Sequence, residues 1–144
     1  MYRRMCKGKI HRATVTQADL NYVGSITLDP ALMREANILP YEMVQITNLA
    51  NGVIWHTYAI AGLPDSGTVC LNGPPARHFQ PGDLVIVLSL CYLSTEELPG
   101  FQSRVVFVDG ENRVQRVEEF SLGQEWLDLA QERLAATEMG DESP

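Results

Sequence analysis

The stretch MVQITNLANGVIWHTYAI, residues 43–60, decides the fold class of this chain. Apolar and polar residues largely alternate on both sides of its Asn51-Gly52 pair. Asn-Gly between two alternating runs is the strongest short-range signal for a β-hairpin, because both residues tolerate the positive φ of a two-residue turn. The sequence therefore predicts two antiparallel strands that meet at residues 51–52.

Further short runs rich in β-branched residues have the same strand character. The expected strands are 8–20 (with a break near Ala18-Asp19), 25–28, 43–49, 53–60, 67–71, 84–90, 104–108 and 113–117. Residues 84–90 are apolar at every position except Ser89, which predicts a central strand buried on both faces. The turn sequence at 109–112 predicts a second hairpin.

Two helices are expected between and after these strands. Asp29 followed by Pro30 predicts a helix start, and the helix continues to about residue 36. Ser121 with Gln124 forms a capping-box pattern before an amphipathic helix that ends near Gly140. Many short strands with hairpins and two helices favour a mainly β fold, a compact barrel rather than a sandwich or an α/β layer fold.

The charge of the chain is unevenly placed. Of a net charge of −7, the segment from Glu118 onward carries eight acids and one base, so the preceding part is neutral. We therefore divide the chain into a barrel, residues 1–117, and an acidic helical extension, residues 118–144. The sequence has no basic stripe with interleaved aromatics and no apolar run of roughly 18 residues, which excludes nucleic-acid and membrane-spanning classes.

The amino-terminal and cysteine patterns predict a cytoplasmic protein. The first residues are basic but lack the apolar region of a secretion signal. Three widely spaced cysteines, Cys6, Cys70 and Cys91, are typical of reduced thiols. Without a CxxC pair they do not indicate a zinc site, and we expect no metal.

The Gly24-Ser25 pair allows two interpretations. A turn is the simpler one. Alternatively, the serine hydroxyl can attack the preceding glycine carbonyl, because glycine has no Cβ to block the approach and tolerates strained backbone angles. If the resulting ester eliminates, the serine becomes a pyruvoyl group, a ketone built from the chain itself.

Six short motifs support the chemical interpretation together. They are residues 8–12 (GKIHR), 18–25 (ADLNYVGS), 51–52 (NG), 57–60 (TYAI), 72–73 (NG) and 82–86 (GDLVI). In this order the chain resembles the bacterial aspartate 1-decarboxylase family over about residues 1–110. The resemblance implies a double-psi β-barrel that cleaves itself, a pyruvoyl cofactor derived from Ser25, and a homotetramer with active sites between subunits. It also implies a lyase that makes β-alanine for pantothenate synthesis.

The resemblance assigns roles to individual residues. Ser25 and Tyr58 match the catalytic residues, with Tyr58 as the proton donor. Self-cleavage involves Gly24, Ser25, Thr57 as donor to the oxyanion, Tyr22 and His11. Substrate-binding positions are Lys9, Thr57, Asn72, Gly73, Ile54 and Thr47. Taken alone, each of these has an ordinary structural explanation, and adjacent residues such as Thr57 and Tyr58 point to opposite faces of a regular strand.

Several positions depart from the family pattern around the substrate. Ile54 stands where the family has an arginine that grips a carboxylate of aspartate, and Thr47 replaces a tryptophan. Pro74 and Pro75 replace small residues and remove two backbone N–H donors. His56, two residues from Ile54, can restore positive charge on the same strand face. Arg77 and His78 beside the proline pair can do likewise.

These departures leave three functions open. The first is decarboxylation of L-aspartate, the family default. The second is the same chemistry on a neutral or less acidic amino acid, since isoleucine offers a carboxylate no partner. The third is a non-catalytic barrel that binds a small molecule. A helper protein for maturation is a further possible partner.

Overall fold

The computed structural model describes residues 1–21 and 24–141, with side chains through residue 140. Its strands are β1 (Tyr2–Thr14), β2 (Gln17–Asp19), β3 (Ser25–Leu28), β4 (Met43–Asn48), β5 (Ile54–Ala61), β6 (Val69–Asn72), β7 (Leu84–Ser94), β8 (Gln102–Val108) and β9 (Val114–Ser121). Its helices are α1 (Pro30–Glu35) and α2 (Gln124–Asp141), and 3₁₀ turns cover Pro74–Arg77 and Thr95–Gly100. The mainly β class with short helices and a carboxy-terminal helix is confirmed.

The strands form one sheet in the order β2-β6-β3-β5-β4-β7-β1-β8-β9. Although β1 and β2 are consecutive in the chain, β2 lies at one end of this order and β1 lies beyond β7. At the junction, the Thr16 amide donates to the Val69 carbonyl over 2.8 Å. The sheet must therefore curl until β6 meets the end of β1, which is consistent with a double-psi β-barrel. Barrel closure itself stays a prediction.

The core lies inside this curled sheet and beneath α1. Alternate residues of the strands point inward, as the period of two requires. The largest fully buried side chains are Ile10, Val15, Ile26, Leu28, Leu32, Ile46, Val69, Leu71, Phe79, Val85, Val87 and Val106.

The hairpin predicted around residues 51–52 is confirmed, but the two-residue turn is not: the loop spans residues 49–53, and of the Asn-Gly pair only Gly52 has a positive φ. Strands β4 and β5 pair antiparallel, with Met43 opposite Tyr58 and Thr47 opposite Ile54. Gly52 has a φ of 74°, the left-handed conformation that favours glycine. The second hairpin, β8 with β9, is also confirmed.

The predicted domain boundary at 117/118 falls within β9, and the division into two domains stays a prediction.

The first predicted strand was wrong in its limits. It begins at Tyr2 rather than residue 8, and the break lies at Val15-Thr16 rather than at Ala18-Asp19. The Val15 amide donates to the Asp83 carbonyl at 2.8 Å and Thr16 donates to Val69, so the chain changes partner strands here. This exchange of hydrogen-bond partners interrupts the strand, and no local sequence signal marks it.

Strand β7 is central but is not buried on both faces. Val85, Val87 and Ser89 are buried, whereas the alternate residues Leu84, Ile86 and Leu88 are only half-buried. The strand pairs with β4 on one side and β1 on the other. Its outward apolar residues are therefore partly uncovered in the single chain.

Helix α1 begins as predicted: the Asp29 carboxylate accepts the Ala31 amide at 2.9 Å, and Pro30 is the first helical residue. The capping box predicted at Ser121 was wrong, because Ser121 ends β9. The Gly123 carbonyl accepts the amides of Trp126 and Leu127, and the Gln124 side chain donates to Asp128. The helix continues past Gly140 to residue 141.

Helix α2 packs loosely for an amphipathic helix. Ala130 is its one buried residue among those described, and Trp126 is 54 % exposed. Among the described residues, no helix is both long and apolar enough to cross a lipid bilayer. A capping box does occur elsewhere, at Ser94, whose amide and hydroxyl both donate to the Glu97 carboxylate.

Candidate active site

Strands β3 and β6 bring four polar side chains together, and we call Ser25, Thr27, Cys70 and Asn72 the serine cluster. The strands pair antiparallel with Ser25 opposite Asn72 and Thr27 opposite Cys70. Because residues two apart share a strand face, all four side chains lie on the same face. Ser25 is completely buried and Asn72 is 4 % exposed.

The amide of Asn72 is the hub of the serine cluster. Its Nδ2 donates to Ser25 Oγ at 3.0 Å and to Thr27 Oγ1 at 2.9 Å. Its Oδ1 accepts the Cys70 thiol at 3.1 Å. Burial and the nearby negative charge of Asp19 raise the pKa of Cys70, so the thiol keeps the proton it donates. The three hydrogen bonds fix the orientation of the amide with its N–H groups toward Ser25.

The loop after β6 lies beside the Gly24-Ser25 bond. The Gly73 amide donates to the Asp19 carbonyl at 2.7 Å, and Gly73 has a left-handed φ of 76°. A Cβ added to Gly24 would lie 3.6 Å from Pro74 Cδ and 3.9 Å from the Asn72 carbonyl oxygen, which is ordinary contact. Pro74 therefore packs beside the Gly24-Ser25 bond. Tyr22, expected near this bond, lies outside the described residues.

Strand β5 runs parallel to β3, with Ile26 beside Ala59. The same register, continued toward the amino terminus, sets Ser25 level with Tyr58 and Gly24 level with Thr57. Tyr58 shares the outward face of Ser25, whereas Thr57 points inward and is 8 % exposed. The regular strand thus separates Thr57 and Tyr58 onto opposite faces, as predicted.

A cavity of about 320 Å³ adjoins the serine cluster. Its lining residues are Gln17, Asp19, Thr27, Ile60, Ala61, Thr68, Cys70 and Asn72. The one carboxylate in this lining is Asp19, and none of the lining side chains is a cation. Among the residues that the structure describes, the lining of this cavity therefore offers no positively charged partner for an acidic ligand.

The chain does not gather every predicted residue around Ser25. Lys9 and His11 lie on β1, which pairs with β7 and β8 rather than with β3. The His11 ring packs edge-on against Phe107, with 5.5 Å between centroids. Burial, followed by the positive charges of Lys9, Arg12 and Arg116, lowers the pKa of His11.

Two predicted substrate-binding residues of β4 and β5, Thr47 and Ile54, lie on one outward surface, which we call the hairpin face, whereas the third, Thr57, points inward. The hairpin face consists of Met43, Gln45, Thr47, Ile54, His56 and Tyr58. Ile54 is 55 % exposed and directly opposite Thr47. His56 shares its face as predicted, and His56 Nε2 lies 3.3 Å from Gln45 Oε1.

The residues after the proline pair lie near the base of the hairpin. His78 is exposed, its ring centroid lies 6.1 Å from that of Trp55, and its carbonyl accepts from the side chains of Asn48 and Asn51. Arg77 is exposed at the end of the first 3₁₀ turn. Neither lines the cavity beside Asn72.

Sequence reasoning missed two members of the serine cluster, Thr27 and Cys70. Both lie two residues from a predicted site residue, Ser25 and Asn72 respectively, and therefore on the same strand faces. The period of two could have identified them once both segments were assigned as strands. The antiparallel pairing that joins them became visible only in three dimensions.

The fold and the site define a mainly β protein with a buried serine that directly follows a glycine. The hydroxyl of this serine accepts a hydrogen bond from an asparagine side-chain amide. A family model described as aspartate decarboxylase matches residues 1–115. The aspartate 1-decarboxylase of Clostridium acetobutylicum is 53% identical over 120 residues, which cover 83% of this chain and 94% of that protein. The one from Listeria monocytogenes serotype 4b is 50% identical over 117 residues, 81% of this chain and 92% of that protein. The chain belongs to the aspartate decarboxylase family.

Proposed function

We propose that this protein is a self-processing, pyruvoyl-dependent carboxy-lyase that converts L-aspartate to β-alanine and CO₂. Its relatives at 50% and 53% identity carry the name aspartate 1-decarboxylase and are matched over most of their length. The observation that carries the proposal is the buried Ser25, bonded to Asn72 directly after Gly24. The β-alanine product would serve pantothenate synthesis.

Self-cleavage uses groups that lie at the junction of residues 24 and 25. Ser25 Oγ bonds to the Gly24 carbonyl carbon as the peptide C–N bond breaks, and the hydroxyl proton moves to the released nitrogen. Thr57, level with Gly24 in the strand register, is the donor to the developing oxyanion. Elimination frees the Gly24 carboxylate, and hydrolysis then releases the nitrogen of residue 25 as ammonia.

The residues around position 25 fit a pyruvoyl group. Such a group carries carbonyl oxygens, and the Asn72 Nδ2 donor already lies 3.0 Å from Ser25 Oγ in a buried site. When present, a pyruvoyl group supplies an electron sink for the electrons released as CO₂ leaves. Asn72 and Gly73 hold the neighbouring backbone, and Tyr58 holds a proton on the same outward face.

Substrate recognition requires a second copy of the chain. L-aspartate carries two carboxylates, yet the cavity beside Asn72 is lined by Asp19 and by no cation. Lys9 and the hairpin face, with Ile54 and Thr47, point outward on other strands. A homo-oligomer, a tetramer by the family pattern, brings these surfaces of one subunit to the serine cluster of another.

The two alternative functions gain no support from the comparisons. Both relatives described above are named for aspartate, which argues against a neutral substrate despite Ile54. Neither is described as a non-catalytic binding protein. We expect the enzyme in the cytoplasm, and a helper protein for maturation remains compatible with the site.

The proposal is tested by intact mass and by product analysis. The purified protein is expected to separate into residues 1–24 and a larger chain that lacks a free amino terminus. The processed protein, given a panel of L-amino acids, is expected to form β-alanine from aspartate at the highest kcat/KM. If the processed chain prefers a neutral amino acid, L-aspartate is not its substrate. If the purified chain remains uncut after prolonged incubation, it is not a self-processing enzyme.

A further inference from the structure

An exposed tyrosine covers the proposed proton donor. Tyr41 lies in the turn between α1 and β4, and its side chain is 77 % exposed. Its ring lies 6.1 Å from the ring of Tyr58, centroid to centroid, with an interplanar angle of 23°. Tyr58 is half-buried beneath it, on the outward face that it shares with Ser25. The solvent side of Tyr58 is thus occupied by a second aromatic ring.

The backbone of Tyr41 is strained in order to present this ring. Its φ is 70°, in the left-handed region where a bulky side chain is disfavoured. Glycine or asparagine would adopt this conformation more easily. An aromatic residue at such a position, with most of its surface in solvent, gains little from burial, so folding alone does not account for it.

Two backbone hydrogen bonds fasten the turn to Ala59, the residue that follows Tyr58 in β5. The Tyr41 amide donates to the Ala59 carbonyl at 2.7 Å, and the Ala59 amide donates to the Glu42 carbonyl at 3.0 Å. The Glu42 carboxylate in turn accepts from Lys7 Nζ at 2.9 Å and from the Ser89 hydroxyl. The turn is therefore anchored to β1, β5 and β7, and the ring of Tyr41 is held in place over Tyr58.

We propose that Tyr41 is a positioning residue that holds the Tyr58 side chain in its proton-donating orientation and shields it from water. The inference rests on the proposed function, in which Tyr58 donates the proton. Stacked aromatic rings restrict each other's rotation, and a general acid must stay within hydrogen-bond reach of the atom it protonates. Loss of the Tyr41 ring is expected to lower kcat with little effect on KM or on self-cleavage.

The substitution Tyr41→Asn separates catalysis from folding. Asparagine suits the left-handed backbone, so the melting temperature is expected to hold or rise while kcat for aspartate falls roughly tenfold from the loss of orientation. Tyr41→Phe retains the ring and is expected to keep the kcat of the unaltered enzyme. Tyr2→Asn, at a tyrosine that is 72 % exposed on β1, is the matched control and should leave kcat unchanged.

A double-mutant cycle with Tyr58→Phe decides whether Tyr41 acts through Tyr58. Tyr58→Phe is expected to cleave normally and to lose about a hundredfold in kcat, the usual contribution of a general acid. In that background Tyr41→Asn should have no further effect. Additive losses, an unchanged kcat in Tyr41→Asn, or a failure of Tyr41→Asn to cleave would each overturn the positioning role and leave the proposed function standing. A normal kcat in Tyr58→Phe would remove Tyr58 from the proton-donor role and overturn the positioning role of Tyr41 with it, while formation of β-alanine would still support the decarboxylase.

Discussion

The serine cluster and the hairpin face lie on neighbouring strands of one sheet, yet they are built differently. In the serine cluster, Asn72 connects Ser25, Thr27 and Cys70 through three hydrogen bonds in a buried site. On the hairpin face, Ile54 is 55 % exposed, and His56 is exposed with its Nε2 3.3 Å from Gln45 Oε1. One chain thus supplies all the hydrogen bonds of the serine cluster described above. The hairpin face, which carries Ile54 and Thr47, is left open to solvent.

This difference separates two kinds of functional residue. A group that modifies its own backbone must be positioned by its own chain, because the serine and the bond it attacks are adjacent. A group that recognises a free substrate can come from any surface that reaches the site. Two departures from the family pattern, Ile54 and Thr47, lie on the hairpin face, whereas Pro74 lies beside the Gly24-Ser25 bond.

The largest effect is expected from Ser25→Ala, which removes the hydroxyl at the centre of the serine cluster. Neither cleavage nor decarboxylation can occur without the attacking oxygen, so the intact mass should remain that of a single chain and β-alanine should not form. Ser103→Ala, a half-exposed serine on β8, is the control and should cleave normally. Cleavage of the Ser25→Ala chain at the same bond would remove Ser25 from the mechanism.

The substitution Ile54→Arg tests whether the hairpin face contributes to substrate binding. A guanidinium pairs with a carboxylate bidentately, so the KM for L-aspartate should fall roughly tenfold or more, with cleavage unaffected. Leu63→Arg adds the same charge at a residue that is 76 % exposed beyond β5 and should leave the KM unchanged. An unaltered KM in Ile54→Arg would place this position outside the substrate site.

A smaller effect is expected from Cys70→Ala, which removes one hydrogen bond from the Asn72 amide. A buried hydrogen bond contributes about 1 kcal/mol, so cleavage should slow roughly fivefold as the amide loses its fixed orientation. Cys70→Ser restores a donor and should cleave faster than Cys70→Ala. The control is Cys91→Ala, a half-buried cysteine on β7. Equal cleavage times for the alanine and serine variants would show that the thiol has no orienting role.

The smallest effect is expected in the pH dependence of stability, through His11, which lies apart from Ser25 in the single chain. Burial and three neighbouring cations lower the pKa of His11 in the folded protein, so the unfolded chain binds its proton more tightly. Stability is therefore lost as pH falls below about 6.5, the ordinary histidine value. The melting temperature of His11→Gln should fall less between pH 7.5 and pH 5.5 than that of the unaltered protein, with His56→Gln as control. If the melting temperatures of His11→Gln and of the unaltered protein change in parallel with pH, the lowered pKa of His11 is contradicted.

Local sequence determined the elements whose signals are local. Asn51-Gly52 indicated the hairpin and Asp29 with Pro30 the start of α1, whereas the chemistry expected at Gly24-Ser25 stays a prediction. The hairpin and helix predictions are confirmed by the structure. These succeed because turn residues and caps act within a few positions of the backbone they constrain. The capping box at Ser121 failed for the complementary reason, since pairing with β8 keeps that residue in a strand.

The tertiary structure alone decided which of these residues meet. It placed Thr27 and Cys70 beside Ser25 through the β3–β6 pairing, and it laid Tyr41 over Tyr58 through a turn anchored to three strands. It also showed that Lys9 and His11 lie on β1, which does not pair with β3, and that Ile54 lies four residues along β5 from Tyr58. Such neighbours depend on strand order and register, which long-range backbone hydrogen bonds and core packing set together, so no single stretch of sequence carries them.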